Sequence, residues 1–156
     1  MKFFIIGAML SAVSCGSQEC DLRVKGSCII SNNLPVSAEL VGLTMDVVGQ
    51  EVFAEFGQWV NMETITYGLT IEFGTGGMSY ISGENNIYVT YNSCSSYVVL
   101  SHELLHFLAY RLDLCSTDEN LEHRCRNIFV DTAGANALEM RVAWSISNRM
   151  DRNLCM

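Results

Sequence analysis

Proline is almost missing: Pro35 is the single one in 156 residues. No low-complexity tract accompanies it, so long disordered linkers are not expected. Positive charge is also scarce. Nine Lys and Arg stand against 17 Asp and Glu, a formal net charge of −8. Such a surface repels phosphate backbones and anionic headgroups, which argues against nucleic acid as a partner. No cysteines have the C-x-x-C spacing of a zinc ribbon. Gly74-Thr75-Gly76-Gly77 lacks the Lys and the following helix of a phosphate loop. No serine stands in a nucleophile-elbow pattern, and no internal repeat is present. Histidine is limited to three residues: His102, His106 and His123.

What is present begins at the N-terminus. Lys2 precedes an apolar run from Phe3 to Val13, followed by small residues. This reads as a signal peptide over residues 1–14, too short to span a membrane as a helix. Ala12-Val13-Ser14-Cys15 resembles a bacterial lipobox, with Ala12 in place of the usual Leu. Cys15 is therefore the expected lipidation site, and membrane contact is expected only through that anchor. The chain is expected to be exported, as a cell-envelope lipoprotein or a freely secreted or periplasmic protein.

The cysteine count agrees with export. Of seven Cys, setting Cys15 aside leaves Cys20, Cys28, Cys94, Cys115, Cys125 and Cys155. An even set in an oxidising compartment reads as three disulfides, with Cys20–Cys28 and Cys115–Cys125 as expected pairs.

Residues 15–34 read as a stapled N-terminal segment and 35–156 as one domain. Pro35 is placed where helices start. Leu40, Leu43, Val47, Val48, Val52, Phe53 and Phe56 recur at helical spacing, predicting a long amphipathic helix that ends near Gly57. Ile65, Tyr67, Leu69, Ile71 and Phe73 alternate with polar residues, predicting a strand. Short strands are expected at 78–81 and 86–91, separated by a turn. A buried helix is expected over 97–112, capped by Ser95 or Ser96. A capping box at Ser116–Glu119 predicts a helix running to about Asp131, and 133–148 predicts the last one. The fold class is α+β: a small mixed sheet packed with helices.

The segment His102-Glu103-Leu104-Leu105-His106 lies within the predicted 97–112 helix. Two histidines four apart leave one helix face together, as two nitrogen ligands on a tetrahedral zinc require. Glu103 follows the first of them directly, where a carboxylate can hold and deprotonate a water. The bland alternative is a pair of ordinary helix histidines beside a solvated Glu. In a helix this apolar, three adjacent polar groups would need partners.

The strand NIYVTY, a short turn and then SYVVLSHELLHFLAYRL resemble the strand and active helix of the zincin metallopeptidases. The resemblance covers about Ile65 to Asp131. It implies a zincin-like fold, a Zn2+ cofactor, a peptide or protein substrate, catalysis by Glu103, and His102 and His106 as metal ligands. It also implies extended substrate pairing with the strand before the helix: Ile87, Tyr88, Val89, Thr90, Tyr91 and Asn92. Metzincins carry Gly three and His six residues after the second motif His; here Ala109 and Leu112 stand there. The gluzincin arrangement instead draws a Glu from the next helix, and this chain offers Glu119, Glu122 and His123. Antiparallel helices joined by a short loop favour the last two. Glu122 lies near the edge of the stripe made by Leu121, Cys125, Ile128 and Phe129, whereas His123 points away from it. Glu122 is the expected third ligand and His123 the alternative.

Tyr88, Tyr91, Tyr110, Arg126 and Arg141 are further candidates to stabilise an oxyanion. The expected function is zinc-dependent peptide hydrolysis. One alternative is a zincin fold without turnover, serving as a binding or structural lipoprotein of the envelope. Another is a chance motif in a disulfide-rich exported domain that binds a partner protein.

Overall fold

The computed structural model describes residues 19–115, Cys125 and residues 127–155. The segment read as a signal peptide, Cys15, and the candidates Glu119, Glu122, His123 and Arg126 lie outside the described residues.

Two short strands open the described chain, β1 (Leu22–Val24) and β2 (Ser27–Ile30). They form an antiparallel hairpin stapled by Cys20–Cys28. This stretch, read from sequence as a separate stapled segment, joins the main sheet: β2 pairs in parallel with β3 (Thr70–Gly74). β3 pairs in parallel with β5 (Asn86–Thr90), and β4 (Tyr80–Ser82) closes the far edge antiparallel to β5. The result is a five-stranded mixed sheet in the order β1-β2-β3-β5-β4.

Helix α1 (Ala38–Phe56) begins at Ser37, whose side chain caps Leu40 N, and stops at Gly57 in the left-handed region (φ 68°). Its start is therefore set by Ser37, not by Pro35. Its apolar stripe, with Leu40, Val41, Met45, Val48 and Val52 buried, meets the sheet residues Ile29, Ile71, Phe73, Ile87 and Val89 in one core. Strand side chains alternate between faces, so this buried set is one side of the sheet. Helix α3 (Ser95–Arg111) joins the same core through Tyr97, Leu100, Leu104, Leu105 and Leu108 and contacts both α1 and β5. The Tyr97 hydroxyl accepts a hydrogen bond from Ser37 N at 2.9 Å, which ties the start of α1 to α3.

Four sequence expectations change. The alternation over 65–73 becomes a strand only from Thr70. Before it, Asn61 caps the short helix α2 (Met62–Ile65), Thr66 bonds back to Met62 O, and Gly68 takes φ +79°. Local capping overrides the period-two pattern there. Second, Cys94 is the N-cap of α3; Ser95 and Ser96 instead bond to the backbone of Asn92. Third, the helix expected to run to Asp131 does not continue through 127–129, where Asn127 is left-handed (φ 65°) and Phe129 extended. Fourth, the last helix is divided. α4 (Val130–Ala133) ends at Gly134 (φ 59°), a 3-10 turn follows, and α5 (Leu138–Arg149) begins after it.

The connection from β3 to β4 is held by β5. Tyr88 Oη donates to Gly76 O at 3.0 Å and Thr90 Oγ1 to Gly77 O at 3.1 Å. A Cβ at Gly74 would lie 2.3 Å from Tyr88 Oη, so glycine there admits the ring.

All six cysteines after Cys15 are paired: Cys20–Cys28, Cys94–Cys155 and Cys115–Cys125. That set is compatible with an exported protein. Among the described residues, no helix is long and apolar enough to cross a membrane.

Candidate functional site

α3 carries His102, Glu103 and His106. Packing against α1, α5, β4 and β5 leaves this helix little solvent-facing surface. Glu103 is 7% and His106 8% exposed, and the His102 side chain 26%. Polar groups this deep in an apolar setting are costly unless partnered, and all three have partners.

The four-residue spacing brings the two imidazoles together, with ring centroids 4.8 Å apart at an interplanar angle of 78°. His102 Nε2 and His106 Nε2 face each other at 3.2 Å. Two bonds of about 2.0–2.1 Å to a tetrahedral zinc would place their nitrogens roughly 3.3 Å apart. The 3.2 Å separation of the pair is close to that spacing.

Other elements close round the pair. Phe129, extended just before α4, stacks on His106 at 4.2 Å and 26° and lies 5.5 Å from the His102 ring. Glu139, in the first turn of α5, also reaches the pair. Its Oε1 is 2.7 Å from His102 Nδ1, and its Oε2 accepts from Val130 N at 3.0 Å. Backbone bonds from Leu138 N to Asn127 O and from Glu139 N to Ile128 O hold α5 against the 127–129 segment. Neither residue carries a site signature in the sequence. Glu139 is 37 positions from His102, and only the fold joins them.

Burial pulls the His102 imidazole towards its neutral form. The hydrogen bond and charge of Glu139, with the charges of Glu103 and Asp131, outweigh that pull and raise its pKa above the ordinary 6.5. In the metal-free protein the protonated ring is thus favoured by folding. Its stabilising contribution should be fully present below the unfolded value and vanish as pH rises through the higher folded value. Urea midpoints taken with a chelator from about pH 6 to about pH 9 should show this decline in the wild type. His102→Gln should lose that component of the pH dependence. Parallel curves for the two proteins would contradict the assignment.

The remaining sequence candidates divide as follows. Ile87 to Thr90 lie in β5, which is paired with β3 on one edge and β4 on the other. Tyr91 N bonds to Gly74 O and Asn92 N to Ser96 Oγ. Ile87 and Tyr88 are thus paired on both edges, whereas the β4 ladder stops at Tyr88 and Asn92 is exposed. The edge on this side of the sheet is β4, which contacts α3. Tyr88 is bonded to Gly76 O and Tyr91 Oη to Pro35 O. Arg141 pairs with Glu55 at 2.7 Å and with Glu51 at 3.5 Å, bracing α5 on α1. Tyr110 is exposed, and Asp113 stands in a left-handed turn beyond α3. Among the described residues, no group of three or more His, Cys, Asp or Glu is placed to hold a metal. The expected third ligand, Glu122, lies outside them.

No family model, curated protein or solved structure matches the chain.

Proposed function

We propose that this chain is a zinc-dependent peptidase of the zincin type. The observation that carries the reading is the opposed pair of imidazole nitrogens, 3.2 Å apart on one helix, with buried Glu103 between their positions in sequence. A strand edge, β4, runs beside that helix, as an extended peptide adding to the sheet would need. Residues 80–82 of β4 join 87–92 as the proposed backbone for pairing with substrate.

His102 and His106 would hold the ion, with Glu122 as the proposed third ligand. In sequence Glu122 lies inside the loop closed by Cys115–Cys125. Zinc, when bound, supplies a Lewis acid that polarises a carbonyl and lowers the pKa of a water. Glu103 takes the proton of the attacking water at its carboxylate and returns it to the leaving amine. Phe129, itself buried, covers one face of His106 and keeps water from that side of the ring. The acidic chain, its disulfides and the resemblance of Ala12–Cys15 to a lipobox support reading it as an exported lipoprotein anchored through Cys15.

The test is hydrolysis of a denatured protein by purified protein. Cleavage should require zinc, stop with a chelator and return when zinc is restored. Cleavage indifferent to the chelator would contradict the proposal. A zinc-loaded protein that cleaves nothing would favour the non-catalytic envelope module.

A further inference from the structure

We propose that Glu139 is a positioning residue that fixes the tautomer and orientation of His102, so that His102 Nε2 points at the metal position. This rests on the metal reading of the site but has consequences in the metal-free protein.

The argument starts from proton counting. A neutral imidazole carries one N–H, and an ionised carboxylate can only accept. Glu139 Oε1 lies 2.7 Å from His102 Nδ1, the length of a charge-assisted bond. The proton of neutral His102 therefore belongs on Nδ1, and Nε2 keeps its lone pair. That lone pair is on the nitrogen that faces His106 Nε2 at 3.2 Å. With His102 neutral and no metal bound, the proton between the two rings is then supplied by His106.

The carboxylate is itself held in place. Oε2 accepts from Val130 N at 3.0 Å, Glu139 N donates to Ile128 O at 2.9 Å, and the preceding Leu138 is fully buried. Glu139 thus joins three segments at one point: α3 through His102, the start of α4 through Val130, and the first turn of α5. A carboxylate fixed at both oxygens holds the ring against rotation as well as setting its tautomer. Outer partners of this kind typically change metal affinity 10- to 100-fold on removal (about that range in order of magnitude).

The experiment uses the full chain with ¹⁵N-labelled histidine. In the metal-free protein, above the His102 pKa, His102 should show a protonated Nδ1 and an unprotonated Nε2. Glu139→Ala should move the proton largely to Nε2 and weaken zinc binding about 10- to 100-fold. Glu139→Gln keeps the size and one acceptor oxygen, guards against a folding defect, and should give a smaller loss and a mixed tautomer. Wild-type ring shifts and zinc affinity within about twofold of wild type in both variants would overturn the proposal. The metal reading can fail separately. A wild type that binds no zinc, yet shows the Nδ1–H form that Glu139→Ala removes, would refute the metal and support the orienting role.

Discussion

Replacing Glu103 with Gln should lower peptide hydrolysis by about 10²- to 10⁴-fold, the usual contribution of a positioned general base, while zinc stays bound. The amide has the shape of the carboxylate but cannot take a proton at neutral pH. Glu103 is 7% exposed on the inner part of α3, beside His102, whose proton its charge helps to hold. Its loss should therefore fall on kcat more than on KM. Zinc content, the far-ultraviolet circular dichroism and the unfolding midpoint should remain close to wild type. A Glu103→Gln protein that cleaves as fast as wild type would remove Glu103 from the chemistry. One that loses zinc as well would assign it a role in holding the site together.

Removing Cys94–Cys155 should have the largest effect on stability. The bond closes a loop with a sequence separation of 61, which encloses α3, α4 and α5. In the chain-entropy account a loop of that size contributes about 4 kcal/mol, within the 2–5 kcal/mol typically lost when such a bond is removed. Cys94 is the N-cap of α3, and neighbouring Ser93 Oγ donates to Cys155 O at 2.7 Å. Met150 and Leu154 pack on the core just before the bond, and Cys155 is buried. The bond thus fastens the segment after α5 to the start of α3. The Cys94→Ser, Cys155→Ser double variant should unfold at much lower denaturant than wild type. A shift worth less than about 1 kcal/mol would show that packing alone fixes this end.

Much of this architecture is legible in the residues. The apolar period of 38–56 and Gly57 after it mark α1, and the β-branched run at 86–90 marks β5. The spacing of His102 and His106 places both rings together on α3, and two disulfides follow from short separations of 8 and 10. The failures have local and global causes. At 62–68, Asn61 and Thr66 satisfy backbone groups in a helical turn, which defeats an alternation that looks like strand. At 127–137, a left-handed Asn127 ends the first of the two helices that periodicity predicts, and a positive-φ Gly134 delays the start of the second. The β4–β5 hairpin is local and follows from the two short strands and the turn between them, whereas the parallel pairing of β3 with β2 and with β5 is non-local and no short window of sequence contains it. Glu139 gives no sign in sequence because it stands in an ordinary amphipathic first turn; only the packing of α5 on α3 makes it a partner of His102.

Zinc binding to the purified, metal-stripped protein tests the central claim most directly, by titration with a competing chelator. The wild type should take up one zinc per chain. His102→Ala and His106→Ala should each lose most of that affinity, because each removes a nitrogen from the 3.2 Å pair. Wild-type affinity retained in either variant would contradict the account.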